Sequence, residues 1–216
     1  MEKLNKTVGI VLTKRDWRED DLLFSILTED FGKIEAQAIG IKKIKSRLAG
    51  HLCSAGLVEI LFVQGKVHKK VTHAYLTKKF NIEKEIDFYC YNCILEIVDK
   101  SLKTDDYNEG IWQLANWAIE KVIEHEGDQE KKLIINLFVI KLLTILGYQV
   151  TLDQKGFYVN RFTLDPDIKA LIDQVQHGEY QPEIKLSKQN NQKLFSFLHK
   201  YLTYYLENKM NSFGLI

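Results

Sequence analysis

The sequence predicts an α+β chain in two parts, a small five-stranded β-barrel over residues 1–80 followed by an all-α helical domain over residues 81–216. Two observations carry this expectation. The pattern is strand-like from Thr7 to Lys79 and switches to helical spacing after Phe80. The charge balance switches at the same place. Residues 1–80 hold 15 Lys and Arg against 9 Asp and Glu, a net of +6, whereas residues 81–216 hold 15 against 20, a net of −5. The whole-chain value of +1 conceals this asymmetry, which points to separate tasks for the two halves.

Each strand has its own signal. Thr7–Thr13 (TVGIVLT) is β-rich, and Leu22–Thr28 is a second such run, closed by the turn Glu29-Asp30-Phe31-Gly32. In Lys33–Ile39, Ile34, Ala36 and Ala38 alternate with Lys33, Glu35 and Gln37. Leu57–Val63 is nearly continuous apolar, which predicts a strand buried on both faces. Val67–Leu76 follows the Gln64-Gly65 turn. Five short strands with one long connection between the third and fourth suggest a barrel of the OB type.

The helices follow in order. Ile86, Cys90, Cys93 and Ile97 form one apolar stripe, and Ile111, Leu114, Ala118 and Val122 form a second. Leu133–Leu146 is apolar nearly all round and stops at Gly147, which predicts a central buried helix. Asp165-Pro166 reads as an N-cap and first helical position, for a helix ending near Gly178. Leu194, Leu198, Tyr201 and Tyr205 stripe a last helix. No internal repeat is visible.

Composition narrows the function classes. Apolar residues make up 45% of the chain, enough for a buried core, and two prolines with no low-complexity tract argue against a long disordered linker. No apolar run reaches the ~20 residues that span a bilayer. The stretch MEKLNKTVGIVLTKRD lacks the apolar core of a signal peptide, and an odd number of cysteines fits a reducing compartment, so a cytoplasmic protein is expected.

The most informative stretch is Ala38–Leu52, AIGIKKIKSRLAGHL. Lys42, Lys43, Lys45 and Arg47 crowd into it, and no acid lies between Glu35 and Glu59. Such a run is often a solvated loop, yet on a small β-domain it also suits a surface that tracks a polyanion. Arg15, Trp17 and Arg18, in the turn after the first strand, extend the expected DNA-binding set. Trp17 is the one aromatic of this half placed to be exposed for base stacking; Phe24 and Phe62 sit in apolar runs.

Other constellations carry less. Asp16, Glu19, Asp20 and Asp21 read as a polar turn more readily than as a magnesium site, since no partner carboxylates accompany them. Cys90-Tyr91-Asn92-Cys93 is a CxxC inside a helical apolar stripe, without further ligands, and reads as core packing. The histidines show no metal-binding spacing, and neither a catalytic triad pattern nor a phosphate-binding glycine motif appears. No enzyme, cofactor, metal or small-molecule substrate is expected.

Within Arg15–Leu52, the residues Asp20-Asp21, Thr28-Glu29, Gly32-Lys33, Gly40, Lys43, Ser46 and Gly50 resemble the start of RecO proteins, bacterial recombination mediators. Leu146-Gly147-Tyr148 is similar to the family's Leu-Gly-Tyr at the end of its long buried helix. The resemblance implies an N-terminal OB fold and a C-terminal helical domain. It implies binding of single- and double-stranded DNA, annealing of complementary strands and, with RecR, loading of the RecA recombinase onto strands coated by single-strand-binding protein (SSB). It implies a cytoplasmic, nucleoid-associated protein of the bacterial DNA repair machinery. It further implies that the helical domain receives the acidic, Phe-terminated SSB tail, here through Lys141, Leu146 and Tyr148. Many members carry a four-cysteine zinc site after the Leu-Gly-Tyr helix; Thr151–Asp167 holds no cysteine or histidine, so no zinc finger is expected. A second reading is an adaptor whose OB fold docks SSB and RecR with little DNA affinity.

Overall fold

The computed structural model of the protein describes residues 3–150, 164–178, 186–207 and 210–216. They divide into two compact units, Met1–Glu83 with Leu95–Trp112, and Lys84–Ile94 with Gln113–Ile216.

In the first unit β1 (Leu4–Asp16), β2 (Leu22–Thr28), β3 (Gly32–Ala38), β4 (Gly56–Val63) and β5 (Lys69–Lys79) close into a barrel in the order β1-β2-β3-β5-β4. This is the OB arrangement the sequence predicts. β1 runs longer than its β-rich core because it serves two neighbours. Leu4–Ile10 pairs with β4 and Gly9–Asp16 with β2, and the register shifts between Val11 and Thr13, where the strand bends. At the shared position Gly9, a Cβ would lie 2.7 Å from Ile26 Cγ2, so the crossing leaves no room for a side chain. Closure is completed by the parallel β3–β5 pairing at Ala36↔Lys69 and Gln37↔Lys70.

Alternation puts Phe24, Ile26, Ile34, Ala36, Val58, Ile60 and Phe62 inside. The short helix α1 (Leu48–Leu52), which sequence periodicity does not reveal, adds Leu52 to the same core, and Ile41 of the preceding loop joins it. β4 corrects one expectation. It is buried on one face only, with Leu57, Glu59, Leu61 and Val63 half-exposed and Glu59 paired to Lys6 at 2.9 Å. The outer wall of a closed barrel faces water unless something covers it, whatever the strand's composition. The β2–β3 turn forms as predicted: Gly32 adopts φ +64°, and Thr28 Oγ1 donates to its carbonyl at 2.7 Å.

The long helices are α2 (Glu85–Ser101), α3 (Glu109–Glu124), α4 (Asp128–Ile145), α5 (Pro166–Gln176) and α6 (Lys188–Tyr205), with a 3₁₀ turn at Ser212–Leu215. Within the second unit α4 packs against α5 and α6, and its residues Ile134 to Ile140 are all buried, as an apolar run predicts. It ends where Gly147 takes φ +80° and Tyr148 N–H donates to the Leu143 carbonyl at 2.8 Å. Its start is earlier than the apolar run suggests, at Asp128, and brings Lys131 and Lys132 into the interior. Asp165 does occupy the N-cap of α5, but its carboxylate accepts from Lys193 Nζ at 2.9 Å instead of from a helix amide. Cys90 and Cys93 are fully buried, and burial pushes the Cys90 thiol up to about 12, so it stays protonated and acts as packing. Residues 151–163, where the resemblance would place a zinc site, lie outside the described residues.

Candidate nucleic-acid interface

Three loops meet at one end of the barrel: residues 17–21 between β1 and β2, residues 39–47 after β3, and residues 64–68 between β4 and β5. Their contacts start with acids. Asp21 is buried and accepts from the Gly40 amide at 2.7 Å and from Gln37 Nε2 at 2.6 Å. The Gly40 amide, then the Gln37 amide, hold its carboxyl below the usual carboxylate range despite burial. This clamp is present above the ordinary aspartate range and is lost as pH falls through the lowered value. Asp16 pairs with Lys42 Nζ at 2.6 Å, Asp20 pairs with Lys43 Nζ at 3.4 Å, and the Lys42 amide donates to the Asp20 carbonyl at 3.0 Å. The acidic turn is thus the counterpart of the basic loop.

Between the first and third loops lies a groove of about 400 Å³, lined by Trp17, Arg18, Asp21, Gln37, Ile39, Gly65, Lys66, Val67, His68 and Lys70. Trp17 is 40% exposed and meets the His68 ring edge-on at a centroid distance of 4.7 Å. Ile39 and Val67 are exposed apolar side chains on the same groove. Its one carboxylate, Asp21, is engaged by the loop backbone, so Arg18, Lys66 and Lys70 leave the groove cationic. Rings and aliphatic groups that can meet bases, set among cations that can meet phosphates, suit a single strand.

The predicted residues are distributed unevenly. Trp17 and Arg18 line the groove. Lys45 and Arg47 are exposed on the adjoining loop, and no ion pair holds either among the described residues. Lys42 and Lys43 are tied to acids. Arg15 donates to Glu35 Oε1 at 2.8 Å and lines a separate polar pocket of about 230 Å³ with Ser25, Lys33 and Asp99. Lys66, Lys70, Ile39, Val67 and His68 are additions from the structure. Their signal in the sequence is Gly65-Lys66…Lys69-Lys70, a glycine turn followed by three cations.

In the second unit Lys141 Nζ sits 5.5 Å above the Trp117 ring of α3. Tyr148 is 41% exposed and packs on Tyr205 of α6 at 5.5 Å, while Tyr201 Oη donates to the Gln149 carbonyl at 2.8 Å. Leu146 is the half-buried C-cap of α4. Among the described residues no group of three or more His, Cys, Asp or Glu side chains is placed to hold a metal ion. No helix among them is long and apolar enough to cross a membrane.

Comparison with known proteins finds matches along most of the chain. Residues 1–80 match the family model described as recombination protein O N terminal, and residues 86–213 match recombination protein O C terminal. Among curated proteins the chain is similar to the DNA repair protein RecO of Clostridium perfringens, 28% identical over 72% of this chain and 63% of that protein. The RecO of Caldanaerobacter subterraneus is 27% identical over 68% and 60%, and that of Moorella thermoacetica 29% identical over 68% and 54%. The chain thus spans less than two thirds of the length of these relatives. With matches running through the barrel and the helices alike, the chain belongs to the RecO family.

Proposed function

We propose that this chain is a DNA repair and homologous recombination mediator. It binds single- and double-stranded DNA, promotes annealing of complementary strands and, with RecR, supports RecA loading on SSB-coated DNA. The observation that carries this reading is the cationic groove with Trp17 at its wall, between the two loops that OB folds use for oligonucleotides. The mechanism needs no bond-breaking chemistry. Arg18, Lys66 and Lys70 take phosphates, and the strand is held by its backbone with most base edges free to pair. We read residues 1–80 as the DNA-binding domain and 81–216 as the partner-docking domain, acting in the cytoplasm on the nucleoid. Titration of a labelled oligonucleotide at several salt concentrations tests the reading. The expected result is binding that weakens steeply with salt, and absence of binding at low salt would overturn it.

One observation favours the adaptor reading instead. Arg15, Lys42 and Lys43 are already neutralised by Glu35, Asp16 and Asp20, so the basic half offers fewer unpaired cations than its net charge suggests. Under that reading SSB and RecR bind and DNA does not, so the same titration separates the two.

The proposed site for the acidic SSB tail is Lys141 with Leu146 and Tyr148. Reversing the charge with Lys141→Glu is expected to weaken binding of a tail peptide by about 1–3 kcal/mol, the range for a charge-assisted hydrogen bond. Equal binding by both proteins would move the site elsewhere.

A further inference from the structure

The loop after β3 carries an apolar side chain that no packing accounts for. Ile44 is 104% exposed, although its neighbour in the same loop, Ile41, is 3% exposed and part of the barrel core. The loop is ordered by hydrogen bonds. The Lys43 amide donates to the Gly40 carbonyl at 3.1 Å, and the Ser46 amide donates to the Lys43 carbonyl at 2.9 Å. The second bond makes Lys43–Ser46 a β-turn with Ile44 and Lys45 at its tip. Turn tips favour Gly, Pro, Asn, Asp and Ser; a β-branched aliphatic residue there gains nothing for the turn and exposes apolar surface. The turn is braced from below, since Asp16, Asp20 and Asp21 hold Lys42, Lys43 and Gly40. Lys45 and Arg47, by contrast, stand exposed beside Ile44.

We propose that Ile44 is a wedge that inserts between bases of bound duplex DNA and unstacks them locally, with Lys45 and Arg47 seated on the flanking phosphates. The chemistry fits. Inserted aliphatic side chains open base steps in proteins whose cations grip the adjacent backbone, and the braced turn supplies a tip that does not collapse on contact. A strand-pairing protein gains from such a device, because an opened step exposes base edges for exchange. The proposal rests on the DNA-binding reading given above, and adds to it the act performed on the duplex.

The test uses the full chain and a duplex carrying 2-aminopurine, whose fluorescence rises when it unstacks, with binding followed in parallel by anisotropy. Wild type at saturation is expected to raise the signal by at least about twofold. Ile44→Ser, a fully exposed position and so harmless to folding, is expected to abolish that rise while keeping affinity within about threefold and the salt slope unchanged. A full rise with Ile44→Ser overturns the wedge and leaves Ile44 to a protein partner. Wild-type binding without any rise also overturns it, with the DNA reading intact. No binding by wild type overturns both.

Discussion

Replacing Lys131 with methionine is expected to destabilise the helical unit by about 3–5 kcal/mol, the cost of leaving a buried charge without its partner. Lys131 is 1% exposed; its ammonium pairs with Asp87 Oδ1 and donates to the Val122 carbonyl at 2.6 Å. Three helix ends converge there. Asp87 lies in the first turn of α2, where a negative charge meets the positive end of the helix dipole. Val122 lies in the last turn of α3, whose carbonyls lack partners within the helix. Lys131, in the first turn of α4, answers both. Methionine fills the same space and leaves Asp87 Oδ1 and the Val122 carbonyl without their partner in the core. Urea denaturation followed by far-ultraviolet circular dichroism measures the effect. The double variant Asp87→Leu with Lys131→Met removes both charges and is expected to recover all but about 2 kcal/mol, because the Lys84 amide and the Val122 carbonyl still lose their partners. A single variant as stable as wild type would show that the pair contributes nothing.

Removing the groove cations with Arg18→Ala, Lys66→Ala and Lys70→Ala is expected to weaken single-strand binding by one to two orders of magnitude at moderate salt. It is also expected to flatten the log–log salt slope by about 0.7 for each phosphate no longer neutralised, so by about 2 in all. Salt dependence is the more telling readout, because it counts side chains that touch phosphate and does not respond to a general loss of fold quality. Lys45→Ala with Arg47→Ala is expected to flatten the slope by about 1.4, since both side chains are exposed on the adjoining loop. Lys42→Ala with Lys43→Ala is expected to change it little, because Asp16 and Asp20 already hold those ammonium groups in place of counterions. An unchanged slope in the folded triple variant would remove the groove from the DNA path.

The local signals that were legible in the chain are those set by neighbours in sequence. Period-two alternation in Lys33–Ile39 marks a strand because successive side chains point to opposite faces. The apolar run Leu133–Leu146 marks a buried helix because apolar side chains lie nearly all round it. The turn at Gly32 and the helix stop at Gly147 are legible because both positions adopt a positive φ that glycine tolerates. The basic loop is visible as charge, and the family resemblance adds the OB fold to it.

What stayed illegible depends on pairs far apart in the chain. The short apolar run says that β4 is a strand; closure with β1 and β5 leaves its outer residues half-exposed, so an apolar sequence does not make a doubly buried strand. Lys131 looks like a helix-surface lysine until folding brings Asp87 and the end of α3 against it. The acids at Asp16, Asp20 and Asp21 look like a separate polar turn, yet they brace the basic loop, and they reduce its free cations from four to Lys45 and Arg47. The groove itself joins residues 17–21 to residues 64–70, which no local pattern links. Periodicity and turn chemistry are short-range properties written residue by residue. Which charges are neutralised, which rings are exposed and where a strand of DNA can lie are properties of distances across the barrel, and these arise only when it closes.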